Sequence, residues 1–230
     1  YLYYADRIYQ INLAIAGIAI SVVVLPQLSK HIQSRKKNKI LLIQNKALEL
    51  SLFLSLPATA ALLIASEQIT SALFGYGSFD HLSVKNSAKA LYYFAFGLPA
   101  FALIKVFSSY IFARQNTKTP FKFSVYSVAI NILISVLFFQ KIGFIIIPIA
   151  TTISSWINAT LLFVFIIQKK YFTFSDSFIY SFMKIIFSSL FTSFIFYQFI
   201  NYFRDFLTYK NDYKLITIVM IVLATFIIYV

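Results

Sequence analysis

YYADRIYQINLAIAGIAISVVVLPQLSK occupies residues 3–30. Asp6 and Arg7 stand side by side in it, and the 22 residues from Ile8 to Ser29 carry no charge. About 18 or more apolar, uncharged residues are enough to cross a bilayer as a helix. The run is continuous rather than alternating, which argues against a membrane β-barrel strand. The same reading extends along the chain. Uncharged runs recur at 50–66, 123–140, 142–168, 185–203 and 215–230, and 90–113 is broken only by Lys105. The expected fold is therefore all-α, a polytopic membrane helix bundle of about seven transmembrane helices.

Composition agrees. The 230 residues are 60% hydrophobic with a mean hydropathy of +0.80, more apolar surface than a soluble core can hide. No cysteine is present, and His31 and His81 are read as distant loop residues, so neither a metal site nor a cofactor is expected. The net charge of +13 lies between the apolar runs, not on one basic face, which points to membrane lipids and not to nucleic acid. Loops after the first, third and fifth spans carry twelve Lys and Arg, and loops after the second, fourth and sixth carry six. The first set is therefore expected in the cytoplasm. Tyr1 in place of Met, and a last apolar run that reaches Val230, lead us to expect part of a longer protein, truncated in its last helix.

Local signals divide the chain further. Span one is read over Tyr4 to Leu28, followed by a basic loop from Ser29 to Lys39. Span two covers Ala47 to Ala65 with Pro57 inside it. SEQITSALFGYGSFD, residues 66–80, reads as a separate short amphipathic helix and a glycine turn at Gly75 and Gly77. Span three covers Ala88 to Ala113. Thr119 and Pro120 read as N-cap and first residue of span four. Lys141, Ile142 and Gly143 leave room only for a tight antiparallel turn into span five. Span six is read from Met183 to Phe203, and span seven follows the loop from Arg204 to Lys214.

YYADR, LPQLSK, LPATAAL, ALFGYGSF and a KV followed by ARQNTKTP occur in this order. Together they resemble the MurJ/MviN family, bacterial lipid II flippases of the multidrug/oligosaccharidyl-lipid/polysaccharide exporter superfamily. The resemblance covers residues 1–170 well, and beyond that only hydrophobicity and position match. It implies that the seven spans are the eighth to fourteenth helices of such a protein. Residues 1–170 would be five helices of the second lobe of a two-lobe transporter, and 171–230 two additional C-terminal helices. The partners would be the missing N-terminal lobe and an undecaprenyl-diphosphate-linked glycopeptide substrate. The site would be the bacterial cytoplasmic (inner) membrane. The implied activity is flipping lipid II for cell wall biosynthesis by alternating access, with no catalytic residue. Asn12 departs from the family, which often has proline there, so part of a kink in span one is expected to be lost.

The resemblance assigns Arg7 to a central cationic cavity, where it binds the substrate diphosphate. A guanidinium fork meets phosphate oxygens bidentately. From the residues alone, Arg7 reads equally well as snorkelling to the outer interface. Asp6 lies about 100° round the helix from Arg7 and reads as structural, partnering another helix or orienting a basic group. Lys105 either shares the cavity with Arg7 or snorkels inward. Asn131 and Ser135 on span four and Thr151 on span five offer oxygens for a monovalent cation. No carboxylate accompanies them, and interhelical hydrogen bonding is the commoner use of such residues.

Two rival functions use the same spans. One is an O-antigen or other polysaccharide-lipid flippase of the same superfamily. The other is a membrane-embedded lipid-sugar transferase, which needs grouped carboxylates or histidines. Glu67, Asp80, Asp176, Asp205 and Asp212 read as scattered and unpaired.

Overall fold

A computed structural model describes all 230 residues. The chain is helical throughout and crosses back and forth seven times. The first pass joins α1 (Leu2–Leu13) to α2 (Ile20–Gln33) through a π-helical turn at Ala14–Ala19. The second is α3 (Lys37–Phe74). The third is a bent pair, α4 (His81–Ala95) and α5 (Leu98–Phe112). Then come α6 (Lys118–Ile142), α7 (Ile146–Gln168), α8 (Asp176–Tyr202) and α9 (Lys214–Tyr229). The stretches Leu2–Gln33, Lys37–Phe74, Lys118–Gln168 and Asp176–Tyr202 are long and apolar enough to cross a membrane. Lys118–Gln168 is a hairpin: Ser127 Oγ donates to the Ser154 carbonyl at 2.6 Å, so α6 and α7 run antiparallel. Gly143 turns the hairpin with φ +74° and ψ −155°, a conformation open essentially to glycine alone.

Contacts between turns show the alternation. The turns at 34–36, 113–117 and 169–175 share one end. Arg114 donates to the carbonyls of Tyr110 at 2.6 Å and Tyr171 at 3.0 Å, while Asn45 near the start of α3 bonds Thr173 O and Ser175 N–H. This is the basic end. At the opposite end Tyr209 bonds the Phe79 carbonyl, and the Tyr1 ring meets Phe144 at 5.8 Å. One apolar cluster, around Leu28, Val106, Tyr110 and Ile166, fills the basic half. Another, around Ala5, Tyr9, Leu91 and Leu98, fills the opposite half.

Several local expectations are corrected. The basic loop shrinks to residues 34–36, because helix continues to Gln33 and restarts at Lys37. The amphipathic stretch after Ala65 does stand apart as expected: non-helical backbone at Ala65 (φ −123°, ψ 29°) kinks α3 there, and the helix resumes as far as Phe74. Thr119 is not the cap of α6: its N–H is itself capped by Asn116 Oδ1 at 3.1 Å, and Pro120 stands third in the helix. His31 lies in the last turn of α2, and His81 opens α4 behind the Asp80 cap; neither is in a loop. Hydrogen bonding from the Ser83 side chain, and then from its N–H at 2.8 Å, draws the Asp80 carboxyl below its ordinary pKa range.

Inside a bilayer every freed backbone group needs a partner from the protein. Three irregularities here have one. Span three bends by 44° between α4 and α5, where Gly97 and Pro99 interrupt the ladder. Thr152 Oγ1 and Trp156 Nε1 on α7 donate to the Tyr93 and Phe96 carbonyls at 2.7 and 2.9 Å. Beside the π turn, Ser51 Oγ donates to Ala16 O at 2.9 Å. Pro57 has no N–H for the Phe53 carbonyl, and Tyr229 OH from α9 fills that vacancy at 2.9 Å, its ring stacked on Phe53.

Candidate functional site

One face of span one packs and the other does not. Ala5, Ile8, Tyr9, Ala16, Gly17, Ile20, Val24 and Leu28 are buried at helical spacing. Tyr3, Arg7, Ile11, Ile15, Ile18 and Val22 form an exposed stripe along the opposite side. Arg7 is the only cation on the membrane-crossing part of the stripe. Its guanidinium lies 4.8 Å from the Tyr3 ring centroid and has no ion-pair partner. Asp6 is half-buried and accepts a hydrogen bond from Gln10 of its own helix, not from another helix. The adjacent carboxylate is therefore engaged by an amide, and Arg7 keeps its charge for something else.

The π turn fixes where Lys105 stands. At Gly17 an added Cβ would meet Ala102 Cα at 3.2 Å and Lys105 Cγ at 3.3 Å, so a larger residue would need its neighbours on α5 to give by a few tenths of an ångström. Ser21 Oγ also donates to the Lys105 carbonyl at 3.1 Å. Lys105 is exposed at this contact. Gly17 is ten residues beyond Arg7, which at 1.5 Å per residue is roughly 15 Å along the helix. The structure thus places Arg7 and Lys105 at different depths and does not bring them into contact.

Asn131, Ser135 and Thr151 do come together. Asn131 Nδ2 donates to Thr151 Oγ1 at 3.1 Å and to Ser154 Oγ at 3.3 Å, and Ser135 Oγ donates to Asn131 Oδ1 at 3.4 Å. The Thr151 hydroxyl proton goes to Ile147 O. Their polar atoms are spent on one another and on the backbone, which fastens α6 to α7.

Sequence reasoning missed one apolar feature of the lobe. A groove of about 520 Å³ runs between span one, α3, α8 and α9. Its walls are almost wholly apolar: Ile8 and Ile15, Pro57 and Ala61, Phe196, Val222 and Phe226. Asn12 contributes to it while its amide bonds the Ile8 carbonyl at 3.1 Å. The groove begins at Ile8, the residue after Arg7. The proline expected near Asn12 is absent, but the π turn at Ala14–Ala19 breaks the helix ladder two residues later.

A family model described as lipid II flippase MurJ matches residues 1–218. The chain belongs to the MurJ family. The match runs past residue 170 and takes in α8 and the start of α9. The chain is 40% identical over 168 residues to a probable lipid II flippase MurJ of Rhizobium meliloti (strain 1021), covering 73% of this chain and 31% of the relative. To a probable lipid II flippase MurJ of Rickettsia prowazekii (strain Madrid E) it is 40% identical over 162 residues, 70% of this chain and 32% of the relative. A solved structure titled lipid II flippase MurJ, inward closed conformation, superposes with a TM-score of 0.78 at 29% identity. That superposition covers 99% of this chain and 45% of the other. The chain thus spans about a third of the length of the MurJ relatives it matches.

Proposed function

We propose that the protein containing these residues carries undecaprenyl-diphosphate-linked peptidoglycan precursor across the bacterial cytoplasmic membrane, as a transporter and not as an enzyme. The observation that carries this reading is an unpaired Arg7 on the unpacked face of a membrane span, one residue before the first that lines an apolar groove. A charge at such a depth costs several kcal/mol unless it meets water or a counter-ion. A diphosphate joined to a polyprenyl chain answers both features. Arg7 takes phosphate oxygens, and the groove takes the hydrocarbon. Lys105, roughly 15 Å further along, gives the anion a second station. Asp6 holds Gln10 and so keeps the carboxylate off the Arg7 guanidinium. The stripe of span one faces the other lobe, and rocking of the two lobes exposes the site to each side in turn.

Two measurements test this. The full-length protein should restore growth to a bacterium depleted of its own lipid II flippase, and lipid II should become accessible at the outer face. Ala61→Trp, which fills the groove, should insert in the membrane yet reduce that accessibility at least tenfold. Unchanged lipid II exposure with a filled groove would overturn the role of the groove, and failure of the wild-type protein to move lipid II would overturn the function.

The basic end is assigned to the cytoplasm from the twelve-to-six distribution of loop charges. Since these residues contain no cysteine, Ser34→Cys and Ser78→Cys give clean reporters in a cysteine-free background. Ser78→Cys should react in whole cells with a membrane-impermeant thiol reagent, and Ser34→Cys only after lysis. The reverse pattern inverts the orientation.

A further inference from the structure

At the end opposite the basic turns lies a second cavity, of about 310 Å³, lined by more polar than hydrophobic residues. It is walled by the last turns of α3, the start of α4 and the 204–209 segment, and shares no residue with the apolar groove. Its size suits a ligand of one or two residues. Arg204 on its rim makes no ion pair. Glu67, read from the sequence as unpaired, stands 3.6 Å from His81 Nε2, each side chain about half exposed (49% and 51%). At the wall Ser71 is 3% exposed and its hydroxyl has no hydrogen-bond partner. A buried hydroxyl without a partner is uncommon and marks a place where one is wanted. Gln68 adds a free amide to the same wall. Tyr209 is already engaged: His81 packs on its ring at 5.3 Å, the Lys214 ammonium lies 4.8 Å from its centroid, and its hydroxyl bonds Phe79 O. It has little to offer a sugar ring for stacking.

We propose that this cavity binds a small ligand bearing a single carboxylate, of the kind a short peptide presents at its free end. The Arg204 fork receives the carboxylate bidentately. Ser71 and Gln68 hold the neighbouring amide group, satisfying the orphan hydroxyl. Glu67, across the site, accepts an N–H from the ligand and repels a second negative charge. That selects a monoanion with a donor beside it over inorganic phosphate. The site is separate from the Arg7 stripe and the groove, so it stands or falls independently of the proposed transport.

The test uses the full-length protein in detergent micelles, with the dipeptide Ala-Ala as probe and saturation-transfer NMR as readout. Ala-Ala should bind saturably, and its C-terminal amide and inorganic phosphate at least tenfold more weakly. Arg204→Ala, at an exposed position, and Ser71→Ala should each weaken Ala-Ala at least tenfold, with a thermal melting curve confirming the fold of each variant. The proposal is overturned if Ala-Ala does not saturate, if phosphate or the amide binds as tightly, or if folded Arg204→Ala binds Ala-Ala as well as the wild type does.

Discussion

Arg7→Ala in the full-length protein is expected to insert and fold like the wild type and to lose transport. The folding half follows from exposure. Arg7 makes no ion pair, and its cation–π contact with the Tyr3 ring is worth about 0.5 kcal/mol at an exposed site. The transport half follows from chemistry. A charge-assisted hydrogen-bonded pair with a phosphate contributes about 2 kcal/mol. Its loss weakens substrate binding ~30-fold. Arg7→Lys keeps the charge but loses the planar fork, so it should rescue only in part. Asp6→Asn should be mild, because an amide at that position still accepts from Gln10. The measurements are growth under depletion and outer-face lipid II, with membrane content checked for each variant. Normal transport by Arg7→Ala would mean that the arginine merely snorkels.

Lys214→Met is expected to cost the most in stability among losses of the hydrogen bonds that hold α9 to α3. The Lys214 side chain is 2% exposed, and its ammonium donates to Gly75 O at 2.6 Å and Tyr209 O at 2.7 Å. It also sits 4.2 Å from the Tyr76 ring centroid. Methionine fills the space but offers no donor, leaving two carbonyls without partners, for about 3 kcal/mol. Tyr229→Phe, at the far end of α9, loses one neutral hydrogen bond, about 1 kcal/mol. The two residues pin α9 to α3 at Gly75 and Phe53, and α3 and α9 are facing walls of the groove. Thermal unfolding of the purified protein should rank Lys214→Met well below Tyr229→Phe, which should lie just below the wild type. Equal melting temperatures for all three would show that α9 is held by its apolar face alone.

The sequence shows how many times the chain crosses and which ends of the crossings are basic, because bilayer thickness and loop charge act on long runs that any reading can count. Helix ends were harder. Arg35, Gln115 and Lys170 each turn the chain at the basic end with φ between 51° and 61°, positions where glycine is the usual signal and is absent. Asn116 caps α6 from a loop of several polar residues, any of which fits the pattern. The break at Gly97 had a signal, a glycine two residues before Pro99, but a single uncharged run hid it. Arg7 was legible as an anomaly within an apolar run. The groove was not, since its walls come from four helices far apart in the chain and consist of ordinary membrane residues. Likewise Asn131 and Thr151 are visible as polar, yet only their pairing across the hairpin shows where their hydrogen bonds go.

The bend between α4 and α5 works as a bracket. A kinked rod loaded at one end yields at its joint. Here Thr152 and Trp156, on the adjacent α7, grip the carbonyls of Tyr93 and Phe96 at the joint. Load applied to α4 therefore passes into α7 instead of folding the joint, and α7 is laced in turn to α6. The resulting plate resists flexing within itself.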